Sequence, residues 1–418
     1  MTIKRERLHY SWVMVILTSV AMIAYAPVVY TFGVFLQPLT EEFGWERGAL
    51  SGVFSIQMLL IGVLSIFIGR LSDKYGPRIF VTLGGLLTSI GFLLMSQVNS
   101  LWQVYLNWGF IMGIGGGCFY IAIMSTVPKW FAKRTGVAVG ITVAGMGLGA
   151  IISPPLIQWL ISIYGWQQPF IILSIALFVI VIPLAQFMRH SPQRMGIRPY
   201  GDVVDTIGDK LPLLSVAEGI SFTQVFKTSR FWFFGLVVFC ACFCLQVIIV
   251  HVVPYAIDVG VPSIVAAGVL SIAAGSSVVG RLTIGLIADK LGGRLALSFC
   301  VILITLSLIC LLFVHDVWMF YVVAVVFGFG YGGVVVLVTI VTAELYGLTS
   351  LGMMLGIFSF YDTAGGIFGP PLAGSIFDAT GSYNSAFLIC IVLGVLAIIL
   401  SLSLLKAKSW RDSSQATS

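Results

Sequence analysis

The sequence predicts an all-α membrane protein: twelve transmembrane helices in two six-helix bundles related by pseudo-two-fold symmetry. Three observations carry that prediction. Hydrophobic residues fill 59% of the 418 positions, charged residues only 9%, and the mean hydropathy is +1.07. A water-soluble shell needs far more charge than this. Apolar runs of about 20 residues, the length that crosses ~30 Å of hydrocarbon, recur along the whole chain. The third observation is a repeat. Gly69-Arg70-Leu71-Ser72-Asp73-Lys74-Tyr75-Gly76-Pro77-Arg78 returns 216 residues later as Gly285-Leu286-Ile287-Ala288-Asp289-Lys290-Leu291-Gly292-Gly293-Arg294. The same offset carries Pro38 to Pro254, Gly44 to Gly260, Gly149 to Gly365 and Pro154-Pro155 to Pro370-Pro371. Positions that repeat in this way set turns, helix notches and hinges, so the chain reads as two copies of one bundle.

In the first half the spans fall near 11–39, 49–71, 78–98, 101–127, 134–163 and 168–189, giving an N-terminal bundle over 1–189. In the second half they fall near 228–259, 263–288, 294–315, 317–345, 350–378 and 384–406, giving a C-terminal bundle with its tail over 228–418. Each is helical because lipid offers backbone groups no partner outside the segment. The first apolar run is far longer than a signal core, so it reads as a permanent span. Residues 190–227 are polar, hold Pro192, Pro199 and Pro212, and read as a cytoplasmic linker with a short amphipathic helix over Leu213–Lys227.

Basic residues set the orientation. They stand before the first span (Lys4, Arg5, Arg7), after the second (Arg70, Lys74, Arg78), after the fourth (Lys129, Lys133, Arg134), in the linker, after the eighth (Lys290, Arg294) and in the tail (Lys406, Lys408, Arg411). The opposite loops hold a single one, Arg47. Both termini are therefore expected in the cytoplasm of a multi-pass plasma-membrane protein, a bacterial inner-membrane protein. The net charge of +6 is this asymmetry, not a nucleic-acid surface. All seven cysteines lie inside spans and read as packing residues, so no metal site is expected.

The repeated loop, with Gly, an Asp four residues on, a basic residue, Gly and Arg, resembles the signature of the major facilitator superfamily. That resemblance implies a gating role for Asp73, Arg78, Asp289 and Arg294, with each Asp latched to basic neighbours or helix ends. Span five opens with Trp130-Phe131-Ala132-Lys133-Arg134-Thr135-Gly136 and continues through Gly140 and Gly145 to Gly149. This is similar to the monocarboxylate porter signature, and span eleven, with Asp362 before Gly369-Pro370-Pro371-Leu372, matches as well. The whole resembles the bacterial lactate/proton symporters of that family. Unlike animal members, the chain has no lysine in its first span, where Tyr30 stands, and has Ser277 one turn before the span-eight arginine.

That arginine, Arg281, is the central candidate for substrate binding. It sits deep in an apolar span, keeps its charge at every relevant pH, and offers the two-pronged donor face that suits a carboxylate. One buried cation balances one carboxylate, so a monoanion fits better than a dianion such as oxalate. Asp362, mid-span, is expected to carry the coupling proton, with Asp258 second and His251 third. Tyr30, Asn107, Tyr120, Tyr331, Phe358 and Tyr361 are expected to shape the pocket. The expected activity is proton-coupled symport of short monocarboxylates, L-lactate favoured over pyruvate, by alternating access. In that scheme, protonating an acid of the C-terminal half frees Arg281 for the substrate. The partners are then a small anion, a proton and the bilayer, with no nucleic acid, no cofactor, and a monomer as the working unit. An organic-anion antiporter and a membrane sensor are the alternatives. No nucleophile–base pair or phosphate loop points to an enzyme.

Overall fold

The computed structural model describes residues 9–131, 134–201, 226, 228–346 and 351–405. The expected amphipathic helix over 213–227 lies almost wholly outside these residues. The described chain is helical apart from short loops and one isolated bridge between Phe131 and Tyr200. Its long helices are α1 (Tyr10–Tyr25), a four-residue α2 (Pro27–Tyr30), α3 (Phe32–Phe43), α4 (Arg47–Tyr75) and α5 (Pro77–Met95). After a short α6 (Leu101–Val104) and a π-helical stretch, Tyr105–Ile111, come α7 (Met112–Thr126), α8 (Thr135–Tyr164) and α9 (Gln167–Phe187). The second half runs through α10 (Ser229–Asp258), α11 (Ser263–Leu291), α12 (Gly293–Leu311), α13 (Val317–Tyr346), α14 (Leu351–Thr380) and α15 (Asn384–Leu405). Eleven segments among the described residues are long and apolar enough to cross a membrane, and the 30-residue α14 takes the twelfth place.

The repeat governs the helix ends. α4, α5 and α8 begin and end 216 residues before α11, α12 and α14. The turns between them use glycines in the left-handed region at the same offset: Gly44 and Gly260 (φ 67° and 91°), Gly76 and Gly292 (94° and 88°), Gly165 and Gly381 (76° and 69°). A residue with a Cβ is strained there, which is why the sequence repeats at these points.

Span one departs from the expected continuous helix. Pro27 has no N–H, and α1 gives way to α2 and then α3 at Ala26 and Thr31. Hydrogen bonds from Ala26 N to Met22 O and from Thr31 Oγ1 to Pro27 O (2.6 Å) bridge the breaks, so the helix is interrupted without leaving carbonyls bare.

By packing, the chain forms two units: Met1–Phe32 with Ile56–Ile207, and Gly33–Ser55 with Gly208–Ser418. The first centres on Trp108, whose ring meets Phe32, Phe92 and Phe170 edge-on and whose Nε1 donates to Gln57 Oε1 (3.2 Å). In the second, α10 is buried along nearly its whole length. The backbones of α11 and α13 touch where Gly332 meets Ser277, a closeness only small residues permit.

Candidate functional site

Arg281 lies in α11 within the second unit, half-buried. Its Nε is buried without a hydrogen-bond partner, and no carboxylate of the described residues lies within ion-pair distance of it. Ser277, one turn earlier, spends its hydroxyl on Ala274 O (2.8 Å). The acid that was expected to hold Arg281 until protonated is therefore not seen among the described residues. Asp362, on α14 in the same unit, is also without a counter-ion. Its Oδ1 is buried and unbonded, and its neighbour is the Cys242 thiol of α10. A cation on one helix and an acid on another thus stand unpaired inside one apolar bundle. Leaving either so is costly unless a ligand or proton completes it.

Asp258, ranked second after Asp362 to carry the proton, stands in an ion pair. Arg47 grips it with both terminal nitrogens, at 2.5 and 2.9 Å, in the bidentate geometry that suits a guanidinium. The guanidinium also donates to Tyr383 Oη (3.0 Å) and lies 3.9 Å over the Phe377 ring. Tyr383 Oη, an acceptor from Arg47, contacts His251 Nδ1 (3.0 Å), while His251 Nε2 meets Pro370 O (2.8 Å). These partners assign the ring a neutral form that accepts at Nδ1 and donates from Nε2. Burial raises the Tyr383 phenol's pKa more than Arg47 lowers it, so the hydroxyl stays protonated to serve this chain of bonds.

The same face carries further fasteners. Asp378 accepts from Arg47 N (2.8 Å) and Gly48 N (2.6 Å), capping the first turn of α4. Ser55 Oγ donates to Ile367 O (2.6 Å), the carbonyl that Pro371, lacking an N–H, leaves unused in α14. Residues 33–55, assigned by the repeat to the first half, thus pack with helices of the second. Sequence reasoning noticed Arg47 only as the lone basic residue of its side. That solitude was the signal, since a single cation at a helix start beside Gly48 calls for a specific acid.

The remaining candidates are dispersed. Asn107 is buried in the π-helical stretch, and Tyr30 and Tyr120 are also in the first unit. Tyr120 is 37% exposed. Tyr331 lies in α13, next to the Gly332 contact with α11. Phe358 is a correction: instead of walling a cavity it is buried against Phe234 (4.6 Å) and Phe231 (5.7 Å). Tyr361, beside it, packs over Gly235.

In the repeated loops, the side chains of Asp73 and Asp289 lie outside the described residues. Their arginines hold other groups. Arg78 Nε donates to Gln186 Oε1 on α9 (2.7 Å), and Arg294 donates to Leu404 O on α15 (3.1 Å) and lies 3.6 Å from Glu344. In both halves the loop arginine ties the bundle's third span to its sixth. Glu344, which also accepts from Gly293 N (2.7 Å), was missed because no residue of its type stands at the matching place in the first half.

The signature around Trp130-Phe131 is structural. Ser11 Oγ donates to Trp130 O (2.8 Å), Trp12 meets Phe131 edge-on (5.2 Å), and Tyr200 bonds Trp130 O through its backbone N–H (2.9 Å). The start of span one, the loop before span five and the start of the central polar stretch are therefore one clasp. Among the described residues no group of three metal-ligating side chains occurs, and Cys310 alone of the seven cysteines is exposed.

Residues 17–315 and 269–417 match the sequence model of the Major Facilitator Superfamily. Monocarboxylate transporter 12 of Mus musculus is 28% identical over 408 residues, covering 91% of this chain and 82% of its own. The Bacillus subtilis (strain 168) protein described as uncharacterized MFS-type transporter YcxA is 28% identical over 403 residues, covering 93% and 94%. Among solved structures, a bacterial homologue of the human lysosomal transporter Spinster superposes with a TM-score of 0.76 over 95% of this chain and 97% of its own, at 14% identity.

Proposed function

The chain belongs to the Major Facilitator Superfamily, and its relatives place it with the monocarboxylate porters; from that premise we propose that it is a proton-coupled symporter of short monocarboxylates, L-lactate first and pyruvate second. The observation that carries the reading is Arg281, a guanidinium inside an apolar helix with no described acid to neutralise it. A carboxylate docked on its two-pronged face supplies the missing charge. No second unpaired cation is described in the interior of a span, away from its ends, so a monoanion balances the site and a dianion overfills it.

Asp362 receives the proton. An acid buried beside Cys242 with no counter-ion completes itself by protonation, and the loaded carrier then holds one neutralised cation and one neutral acid. Both charges being cancelled, closing the site around them loses its electrostatic penalty, and the halves rock to release anion and proton on the far side. Net movement is electroneutral. The basic loops and both termini face the cytoplasm in this reading, in the plasma membrane of a bacterium.

Uptake of labelled lactate by proteoliposomes, with and without an imposed pH gradient, tests it. A gradient acid outside should drive accumulation, and membrane voltage alone should not. Arg281→Ala should lower uptake by at least about 30-fold with membrane insertion intact, as expected for losing a buried charge contact. Normal uptake by that variant ends the proposal, and counterflow indifferent to pH moves it to an organic-anion antiporter.

A further inference from the structure

A second set of cations without a described carboxylate lies at the ends of two spans. Where α5 begins and α9 ends, a crevice of about 470 Å³ opens between the two helices and the chain that follows α9. It is lined by Arg78, Arg189, His190 and Arg194. Arg78 spends its Nε on Gln186, and no carboxylate of the described residues pairs with any of the three arginines. The turn of α5 that opens into the crevice, at Gly76 and Pro77, has no side-chain cap, which adds the positive end of a 19-residue helix dipole.

This concentration of charge is not a requirement of the fold. At the 216-residue offset Arg78 is matched by Arg294, whereas Arg189 and Arg194 fall on Leu405 and Trp410. The partner loop also gives Arg294 an acid, Glu344, which Arg78 lacks. The three arginines are exposed, yet they line one concavity together, which a basic collar spread evenly around the bundle would not require. Arginine rather than lysine fits forked recognition of a phosphate.

The surroundings say what carries the phosphate. Along α5, Ile79, Leu83, Leu86 and Ile90 lie on one helical face and are 56%, 40%, 36% and 39% exposed. Phe187, at the end of α9, is 60% exposed beside the crevice. That exposed row of α5 starts at Ile79, next in sequence to Arg78 at the crevice, so acyl chains lying along it would bring an anionic head near the arginines. We propose that the crevice between the start of α5 and the end of α9 binds the phosphate headgroup of an anionic membrane lipid, with its acyl chains along the exposed face of α5. This site is separate from Arg281 and stands whether or not the transported anion is lactate.

The test uses the purified full-length protein in neutral detergent, with lipids of matched acyl chains added in mixed micelles and retention read by native mass spectrometry. Phosphatidylglycerol should be held at least about 10-fold more tightly than phosphatidylcholine. Arg189→Ala with Arg194→Ala, both exposed positions, should weaken phosphatidylglycerol about 30-fold, the loss expected for two surface cations. Replacing both by lysine keeps the charge but not the fork, and should recover part of the loss. Equal retention of phosphatidylcholine, or an unchanged affinity in the double alanine variant, overturns the site. Displacement by soluble glycerol phosphate at matched concentration would make it a site for free phosphate and overturn the lipid. Arg198→Ala, outside the crevice, should cost little. A loss equal to that of Arg194→Ala would mean a diffuse basic surface and also overturn it.

Discussion

Arg47 and Arg281 carry the same chemical group into apolar surroundings and meet opposite fates. Arg47 has its acid, an aromatic ring beneath it and a phenol beside it, so both terminal nitrogens and one face of its guanidinium plane are used. Arg281 has no acid among the described residues. The first is an anchor, and the second is the group to which the proposed function assigns the substrate. Asp258→Asn should therefore destabilise the protein by about 2–5 kcal/mol, because it strands a buried cation, and thermal unfolding in detergent would show it. The pair Arg47→Met with Asp258→Leu should recover most of that loss, since an apolar pair needs no neutralising. Failure of the double variant to recover would mean that the Tyr383 and Phe377 contacts matter more than the ion pair. Asp362→Asn should fold normally, exchange lactate across the membrane, and no longer respond to a proton gradient. Retained proton stimulation would move the coupling to another acid.

At the scale of elements, small residues decide how near the helices come. A methyl group on Gly332 would strike the backbone of Ser277, whereas one on Gly140 in α8 meets nothing within 4 Å. Gly332→Ala should cost about 1–3 kcal/mol by forcing α11 and α13 apart. Gly140→Ala should be neutral, or stabilising by up to about 1 kcal/mol through reduced chain freedom. Thermal unfolding of the two single variants, side by side, checks the contrast. Such elements were legible in the sequence because hydropathy and turn glycines are local signals: the expected spans 49–71, 78–98 and 134–163 fall on α4, α5 and α8, with ends off by up to four residues. The interruption at Pro27 was visible as a residue but not as a break, because an apolar run hides a kink. The π-helical stretch around Asn107 left no composition signal at all. The Arg47–Asp258 contact joins residues 211 apart, and nothing local announces a partner at that distance.

For the whole molecule, the repeat says what is common to the two halves, and the departures from it show where they have specialised. Among the described residues, the unpaired charged groups deep in a span, Arg281 and Asp362, belong to the second unit. The arginine-lined crevice belongs to the first. The aromatic pair at Trp130-Phe131, prominent in the sequence, is a clasp and not a binding surface, so family signatures located the fold more surely than the chemistry. Phe358 teaches the same lesson, since an aromatic residue at the right depth can as well fill a core as line a cavity.

The clasp also shortens a tether. Counted by polarity, the connector between the halves is 38 residues, 190 to 227, with a reach of about 130 Å when fully drawn out. Tyr200, stitched to Trp130 O and wedged among His9, Trp12 and Phe131, fastens its first eleven residues to the N-terminal side. Beyond that knot the connector counts 27 residues, 201 to 227, roughly 90 Å if fully drawn out. One stitched tyrosine therefore subtracts eleven of the 38 residues from the length that polarity alone would assign to the connector.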